Sequence, residues 1–344
     1  MKALVLQKPG LLEVEDRATP QPAENEVLVR ISHAGICGSD IHYFKNGGFG
    51  TVRVKAPMVL GHELSGVVAA VGKDVTRVSV GQRVAVNPSG PCHECDYCRS
   101  GRERLCTNMQ FMGSAMRTPH NDGGFREYVT CPEAQAVPVP DSASLNEIAA
   151  AEPLSVCLHA VSQAGDIAGR RVLVTGFGPI GALTFLACRH AGVAELCVAD
   201  VAPAPLALAA KLSASTIYDV SKPDAIADEK RDRGQFDVVF ECSGHPASIQ
   251  TAIEVTKPGG TIVQVGMTPD TVTLAINPLI TKEITLKGTF RFDAEFERAV
   301  QLIASREIDV SPVLSGSYPY NDALNAFAAA MDRDRAIKVM LDFS

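Results

Sequence analysis

Arg171-Val172-Leu173-Val174-Thr175 runs straight into Gly176-Phe177-Gly178-Pro179-Ile180-Gly181, and an alanine-rich helical stretch, Ala182–Ala191, follows. A short β-branched strand, a G-x-G-x-x-G turn and a helix, in that order, decide the fold. The three glycines do different things here. The first makes the tight turn, the second lets the backbone approach a pyrophosphate, and the third lets helix pack on strand. The phosphates then meet the free N–H groups at the helix start, beside Ile180. Pro179 suits the first helical turn, where a missing N–H costs nothing. A second strand, Glu195–Ala199, ends at Asp200. An acid there accepts hydrogen bonds from the adenosine ribose and repels a 2′-phosphate, which favours NAD over NADP.

Outward from this unit, short strands (Arg171–Val174, Glu195–Ala199, Asp237–Phe240, Thr261–Val265) alternate with Ala-rich helical stretches. Such alternation predicts βαβ units and a parallel sheet. Val265 and Gly266, at the end of the last strand, are expected at the same cofactor crevice. Before Glu147 the texture differs. Short strand-like runs such as Glu26–Ile31 and Gly66–Val71 are separated by Gly and Pro, which reads as a β-rich domain. After Gly288 the pattern becomes helix (Ala294–Ser305), strand, helix and a terminal strand, Ile337–Leu341. The expected architecture is α/β: a β-rich zinc domain of 1–146 and 290–344, interrupted by a Rossmann doubly wound sheet over 147–289.

With 39 acidic against 32 basic residues the chain carries a net charge of −7, which argues against a nucleic-acid partner. No apolar run approaches the roughly 18 residues of a membrane helix. Met1–Leu6 reads as a strand rather than a signal peptide, so a cytoplasmic location is expected.

Ten cysteines are the informative excess. Cys92, Cys95, Cys98 and Cys106 give C-x2-C-x2-C-x7-C. Four thiolates at this spacing can close a tetrahedral zinc shell with no open position, the pattern of a structural site. Such clusters can also hold iron–sulfur, but a loop flanked by Gly90 and Gly101 fits zinc better. A second constellation is dispersed: Cys37 in Gly35–His42, His62 and Glu63 in Gly61-His62-Glu63, and Glu152 in Ala151–Leu154. One cysteine, one histidine and one glutamate would leave a fourth position for water or an alcohol, the catalytic pattern. Taken singly, His62 reads as a loop histidine and Cys37 as a buried thiol.

In this order the strings GICGSDIH, GHELSGVV, CHECDYCRSGRERLC, GFGPIG and KPGGTIVQVG (257–266, with the strand expected from Thr261) resemble the zinc-containing medium-chain alcohol dehydrogenase family, from residue 1 to residue 344. AEPLSVCLHA (151–160) and LKGTFRF (286–292) look like its polyol dehydrogenase branch. Gly113–Met116, Pro119-His120 and Asp122–Phe125 look like members of that branch that oxidise L-idonate, an aldonate. The resemblance implies a GroES-like β-barrel catalytic domain, a Rossmann domain, an active site in the cleft between them, and a homodimer or homotetramer. It implies two zinc ions per chain and NAD. Cys37, His62 and Glu63 would hold the catalytic zinc, with Glu152 at the metal directly or through water. Ser39 and His42 would pass a proton to solvent, and Arg291 would lie near nicotinamide and substrate. Many relatives carry a basic residue four or five positions after the ribose-binding acid; here Ala204 and Pro205 stand there, which again favours NAD.

The reaction expected is reversible oxidation of a secondary alcohol on a small polyol or aldonate, with hydride passing to NAD. An aldonate also needs a partner for its carboxylate, and Arg117, His120 and Arg291 are the candidates. Sorbitol or xylitol would need none. A non-catalytic NAD-binding protein is the reading from another class, set against the presence of Cys37, Ser39, His42, His62 and Glu63 together.

Overall fold

The computed structural model describes residues 1–269 and 271–344, and two sheets organise them. The first is seven-stranded and mainly antiparallel. Its N-terminal members are β1 (Glu26–Gly35), β2 (Glu63–Val71), β3 (Arg83–Val86), β4 (Tyr128–Pro132) and β5 (Ala136–Pro138). β1 is the spine: Val27, Val29 and Ile31 are fully buried at the two-residue spacing of one strand face. β2 lies along one edge of β1, and β4 covers Glu26–Arg30 on the other. β1 then runs through Cys37 into helix α1 (Gly38–Asn46).

Helix α2 (Ala151–Gln163) leads into the second sheet. Its strands are β6 (Arg171–Thr175), β7 (Glu195–Asp200), β8 (Ile217–Asp219), β9 (Phe236–Glu241), β10 (Thr256–Gln264) and β11 (Thr285–Gly288). They pair in the order β8-β7-β6-β9-β10-β11, all parallel. The chain leaves β6 toward one edge and later crosses back to β9, so a switch point opens at the C-terminal ends of β6 and β9. Ligands of doubly wound sheets bind in that crevice. Helix α3 (Pro179–His190) follows β6. It starts at Pro179, three residues before the expected Ala182, because a proline is tolerated at the first helical position. β10 starts five residues earlier than expected: Lys257-Pro258-Gly259-Gly260 reads as a breaker, yet the strand absorbs it in a register irregularity opposite Phe236–Val238.

Helix α4 (Glu295–Ala304) buries Phe296, Ala299, Val300, Leu302 and Ile303 and packs against α2, sharing the core of the parallel sheet. The chain then returns to the first sheet as β12 (Leu314–Pro319) and β13 (Lys338–Asp342). β13 pairs with His33–Gly35 of β1, directly beside the turn that carries Cys37. No helix among the described residues is long and apolar enough to cross a membrane.

Candidate active site

The glycine turn after β6 is shaped as a cradle. Gly176 has φ +77°, and a Cβ there would lie 2.6 Å from the Ser243 backbone nitrogen. At Gly181 a Cβ would lie 1.9 Å from the Gly176 carbonyl oxygen, so helix and strand could not pack as they do. At Gly178, which caps α3, a Cβ would meet no protein atom, so that space is open to a ligand. Pro179 opens the helix and Ile180 packs half-buried on the core. The Asp200 carboxylate accepts hydrogen bonds from the backbone N–H groups of Phe177 (2.5 Å), Val201 (2.7 Å) and Ala202 (2.8 Å). Buried Glu241 closes the far side. Its carboxylate accepts from Ser243 N, Gly244 N and Gln264 Nε2, while its carbonyl takes the N–H groups of Val265 and Gly266.

The dispersed constellation comes together. Asp40, fully buried in α1, accepts from Cys37 N at 2.9 Å and Gly61 N at 3.2 Å, so one carboxylate fixes both ligand-bearing turns. The ligand atoms of Cys37, His62 and Glu63 all lie within 4.8 Å of one another. His62 Nδ1 is buried without a hydrogen-bond partner, 3.8 Å from Asp40 Oδ1. A thiol, an imidazole and a carboxylate converging in this way form a donor set that fits zinc. Burial, and then the Glu63 charge, push the Cys37 thiol up to about 11. Glu152 stands outside the three-ligand group, but the charges of His62, Glu63 and Cys37 bear on it; burial raises its carboxyl to about 8. Ser39 is half-buried and His42 exposed, one turn apart on α1. Burial lowers the His42 pKa, and Arg333 and Lys45 add to the shift.

Sequence reasoning missed Lys338. Its Nζ, at the start of β13, donates to Glu63 Oε1 at 2.5 Å and Ile36 O at 2.9 Å, with both side chains almost wholly buried. The signal was a lysine inside an apolar terminal strand, because a buried ammonium requires a partner. Asp40 was quoted in its motif but given no role, and Phe111 was not considered. Phe111 stands between the two halves of the site, its ring centre 5.5 Å from that of His62.

The four cysteines of the 92–106 loop also converge, with ligand atoms within 4.8 Å. The Cys95–Cys98 and Cys92–Cys106 sulfurs are 3.5 and 3.4 Å apart. That is too far for a disulfide, and near the ~3.8 Å edge of a tetrahedron with ~2.3 Å zinc–sulfur bonds. Backbone N–H groups already serve thiolates here: Cys106 Sγ accepts from Cys92 N (3.2 Å) and Asn108 N (3.3 Å). Hydrogen bonds from the backbone of Cys98 and Thr107 pull Cys95 down to about 6. The donor set fits a closed zinc site.

Between the lobe and the three-ligand group lies a cavity of about 700 Å³, lined by Phe111, Ser114, Met116, Arg117 and Arg291 among others. The expected carboxylate partners differ here. Arg117 spends its guanidinium on the carbonyls of Met109 (2.8 Å) and Thr107 (2.9 Å). His120 has both ring nitrogens engaged, with Lys55 N and Arg117 O. Arg291 is sandwiched, its guanidinium carbon 4.4 Å from the Phe111 ring centre and 4.8 Å from that of Phe290. Its Nη2 meets only the Met116 sulfur, and no carboxylate pairs with it among the described residues. Burial lowers its pKa to about 10.

Residues 23–141 match the alcohol dehydrogenase GroES-like domain, and 179–305 match the zinc-binding dehydrogenase family. The chain is 45% identical to L-idonate 5-dehydrogenase (NAD(P)(+)) of Escherichia coli, across 93% of this chain and 92% of that protein. It belongs to the zinc-dependent medium-chain alcohol dehydrogenases. The crystal structure of the E. coli L-idonate 5-dehydrogenase superposes with a TM-score of 0.93 at 42% identity, covering 99% of this chain and 98% of that one. Human sorbitol dehydrogenase is 36% identical over 98% of this chain and 95% of its own length. As a member of this family the protein is an NAD-linked alcohol or polyol dehydrogenase, and zinc and NAD are its cofactors. The GroES-like domain and the Rossmann sheet expected from the sequence are both present.

Proposed function

We propose that the protein oxidises L-idonate reversibly to 5-keto-D-gluconate, with NAD. The observation that carries this substrate is Arg291: a cation held over Phe111, beside the Cys37–His62–Glu63 group, with donors free for an anion. A planar guanidinium suits a carboxylate, and burying that anion without a cation would be unfavourable. Cys37, His62 and Glu63 would hold the catalytic zinc, with Glu152 a further carboxylate for it, directly or through water, and Cys92, Cys95, Cys98 and Cys106 would hold a second, structural zinc. When bound, the catalytic zinc would supply Lewis acidity and NAD the hydride acceptor.

The chain's own residues bind, orient and move the proton. Gly176, Gly178, Pro179, Ile180 and Gly181 seat the pyrophosphate, Asp200 receives the ribose, and Val265 and Gly266 flank the crevice. Phe111 and Phe290 wall the substrate from water. The hydroxyl proton passes to Ser39 Oγ and on toward His42, whose exposed ring delivers it to solvent. Beyond Asp200 the chain carries Ala204 and Pro205, which offer no cation to a 2′-phosphate, and this supports NAD.

The chain divides into a catalytic unit of 1–146 and 290–344 and a dinucleotide unit of 147–289, with α4 bridging them. A second copy covers the open sheet edge, where all of β11 is exposed along with Ile276 and Ile280, giving a homodimer or homotetramer. Ten free cysteines fit the reducing cytoplasm.

The test is kcat/KM with L-idonate, D-gluconate, sorbitol and xylitol, each with NAD and NADP. L-idonate with NAD is expected to be best. Arg291→Ala should cost L-idonate about ten- to a hundredfold more than sorbitol, matching the roughly 1.5–3 kcal/mol of a charge-assisted contact. The likeness to human sorbitol dehydrogenase favours a second reading, in which a neutral polyol is the better substrate of the intact protein.

A further inference from the structure

Arg291 stands in a conformation that a non-glycine residue does not hold unaided. Its φ is +52°, in the left-handed region, where a side chain costs roughly 1–3 kcal/mol. The segment that follows is fastened at two points. Asp293 accepts from the backbone nitrogen of Arg104 at 2.6 Å and also from the Arg104 guanidinium. Both side chains are largely buried, at 18% and 21% exposure. Glu295 lies 2.8 Å from His159 Nδ1 on α2 and accepts from Asp293 N at 2.8 Å.

Arg104 belongs to the thiolate lobe, two residues before Cys106, and 189 positions separate it from Asp293. Arg104 and Arg291 line the same cavity. Arg104 has its charge met by Asp293 and Arg117 is held on the carbonyls of Met109 and Thr107, which leaves Arg291 as the cation offered to a substrate anion.

We propose that the Arg104–Asp293 pair is a positioning device for Arg291, so that the thiolate lobe sets substrate selectivity as well as stability. The pair does not touch the substrate. It fixes the backbone from which Arg291 reaches over Phe111, with Glu295 and His159 fixing the other side. The proposal rests on the reading of Arg291 as the carboxylate partner. A pair that merely tied the lobe to the rest of the protein would affect every substrate alike.

The experiment compares L-idonate with sorbitol in Asp293→Asn, Arg291→Ala and the double variant, with melting temperature recorded for each. Asp293→Asn should raise the KM for L-idonate about tenfold, as expected for coupled neighbours. It should change kcat little, and move sorbitol by no more than about twofold. In the Arg291→Ala background the same substitution should remove no further selectivity. Arg104→Gln provides the same comparison if Asp293→Asn does not fold, and Arg104→Lys should recover part of the lost L-idonate affinity. If Arg291→Ala harms both substrates equally, the carboxylate reading itself fails. If Arg291→Ala is selective but Asp293→Asn and Arg104→Gln are not, that reading stands and the positioning proposal is overturned. A selective loss that persists without Arg291 also overturns it.

Discussion

The two cysteine-bearing centres are built in opposite ways. The lobe draws four thiolates from fifteen consecutive residues, 92–106, and backbone N–H groups of the same loop serve the sulfurs. The chemical site draws Cys37, His62, Glu63, Glu152 and Lys338 from four separate parts of the chain, and buried Asp40 fixes two of its turns together. A contiguous site needs little more than its loop, whereas the dispersed site exists only when β1, β2 and β13 are paired and α2 packs against them. The donor sets differ to match. Four thiolates close a shell, and a Cys–His–Glu set leaves a position open. Loss of the metal should therefore cost stability at the first and turnover at the second.

The largest expected effect breaks the dispersed centre from beneath. Lys338→Met leaves Glu63 buried without its ammonium, and removing one member of a buried pair costs about 3–5 kcal/mol. Denaturant unfolding measures this, and a loss below about 1 kcal/mol would show that Glu63 does not depend on Lys338. Next, Cys98→Ser should open the lobe and lower the melting temperature by roughly 5–10 °C, given ~2–4 °C per kcal/mol in domains of this size. Sorbitol should keep a near-normal KM in the folded fraction, while the KM for L-idonate rises through Arg104 and Asp293. An unchanged melting temperature would remove the structural role.

A smaller effect belongs to the crevice. Asp200→Asn should lower kcat/KM with NAD about tenfold and narrow the gap to NADP, as loss of a charged acceptor predicts. Equal efficiency with both cofactors in the unmutated protein would contradict the role given to Asp200. The smallest effect concerns the link between the centres. Burial pushes the Glu295 carboxyl up, but the hydrogen bond from His159, the backbone N–H groups of Asp293 and Glu295 and the His159 charge together outweigh it and hold the group at about 2, below its ordinary 4.5. A depressed carboxyl stabilises the fold fully above its unfolded value and less as pH falls toward its folded value. The stability difference between the protein and Glu295→Gln should be constant above about pH 5.5 and shrink between about pH 4.5 and 2. A difference that does not change with pH would show that the carboxylate makes no net contact.

Contiguity also governs what was legible in the sequence. The glycine turn and the C-x2-C-x2-C-x7-C spacing carry their geometry in a few adjacent residues, and periodicity marked the parallel strands. Cys37, His62 and Glu63 could be grouped only by resemblance, because spacing across 26 positions says nothing of proximity. Lys338 was hidden for the same reason: its partner is 275 positions away. Arg117 and His120 show the complementary case. Their charge and place in the chain suggested a carboxylate partner, but the 107–120 loop folds back: Arg117 Nε and Nη2 donate to its carbonyls, and His120 accepts from Lys55 N and meets Arg117 O. A sequence shows which side chains carry charge, and only the fold shows which donors are left over. Arg291 is such a residue, and the left-handed backbone that presents it has no sequence signature.

The division of labour between the two centres is tested most directly by counting zinc per chain in the purified protein and in Cys37→Ser, with turnover and melting temperature measured on the same samples. Two zinc ions should fall to one in the variant, with turnover lost and the melting temperature within a few degrees of the original. A variant that keeps its turnover, or that loses both zinc ions together, would contradict that division of labour.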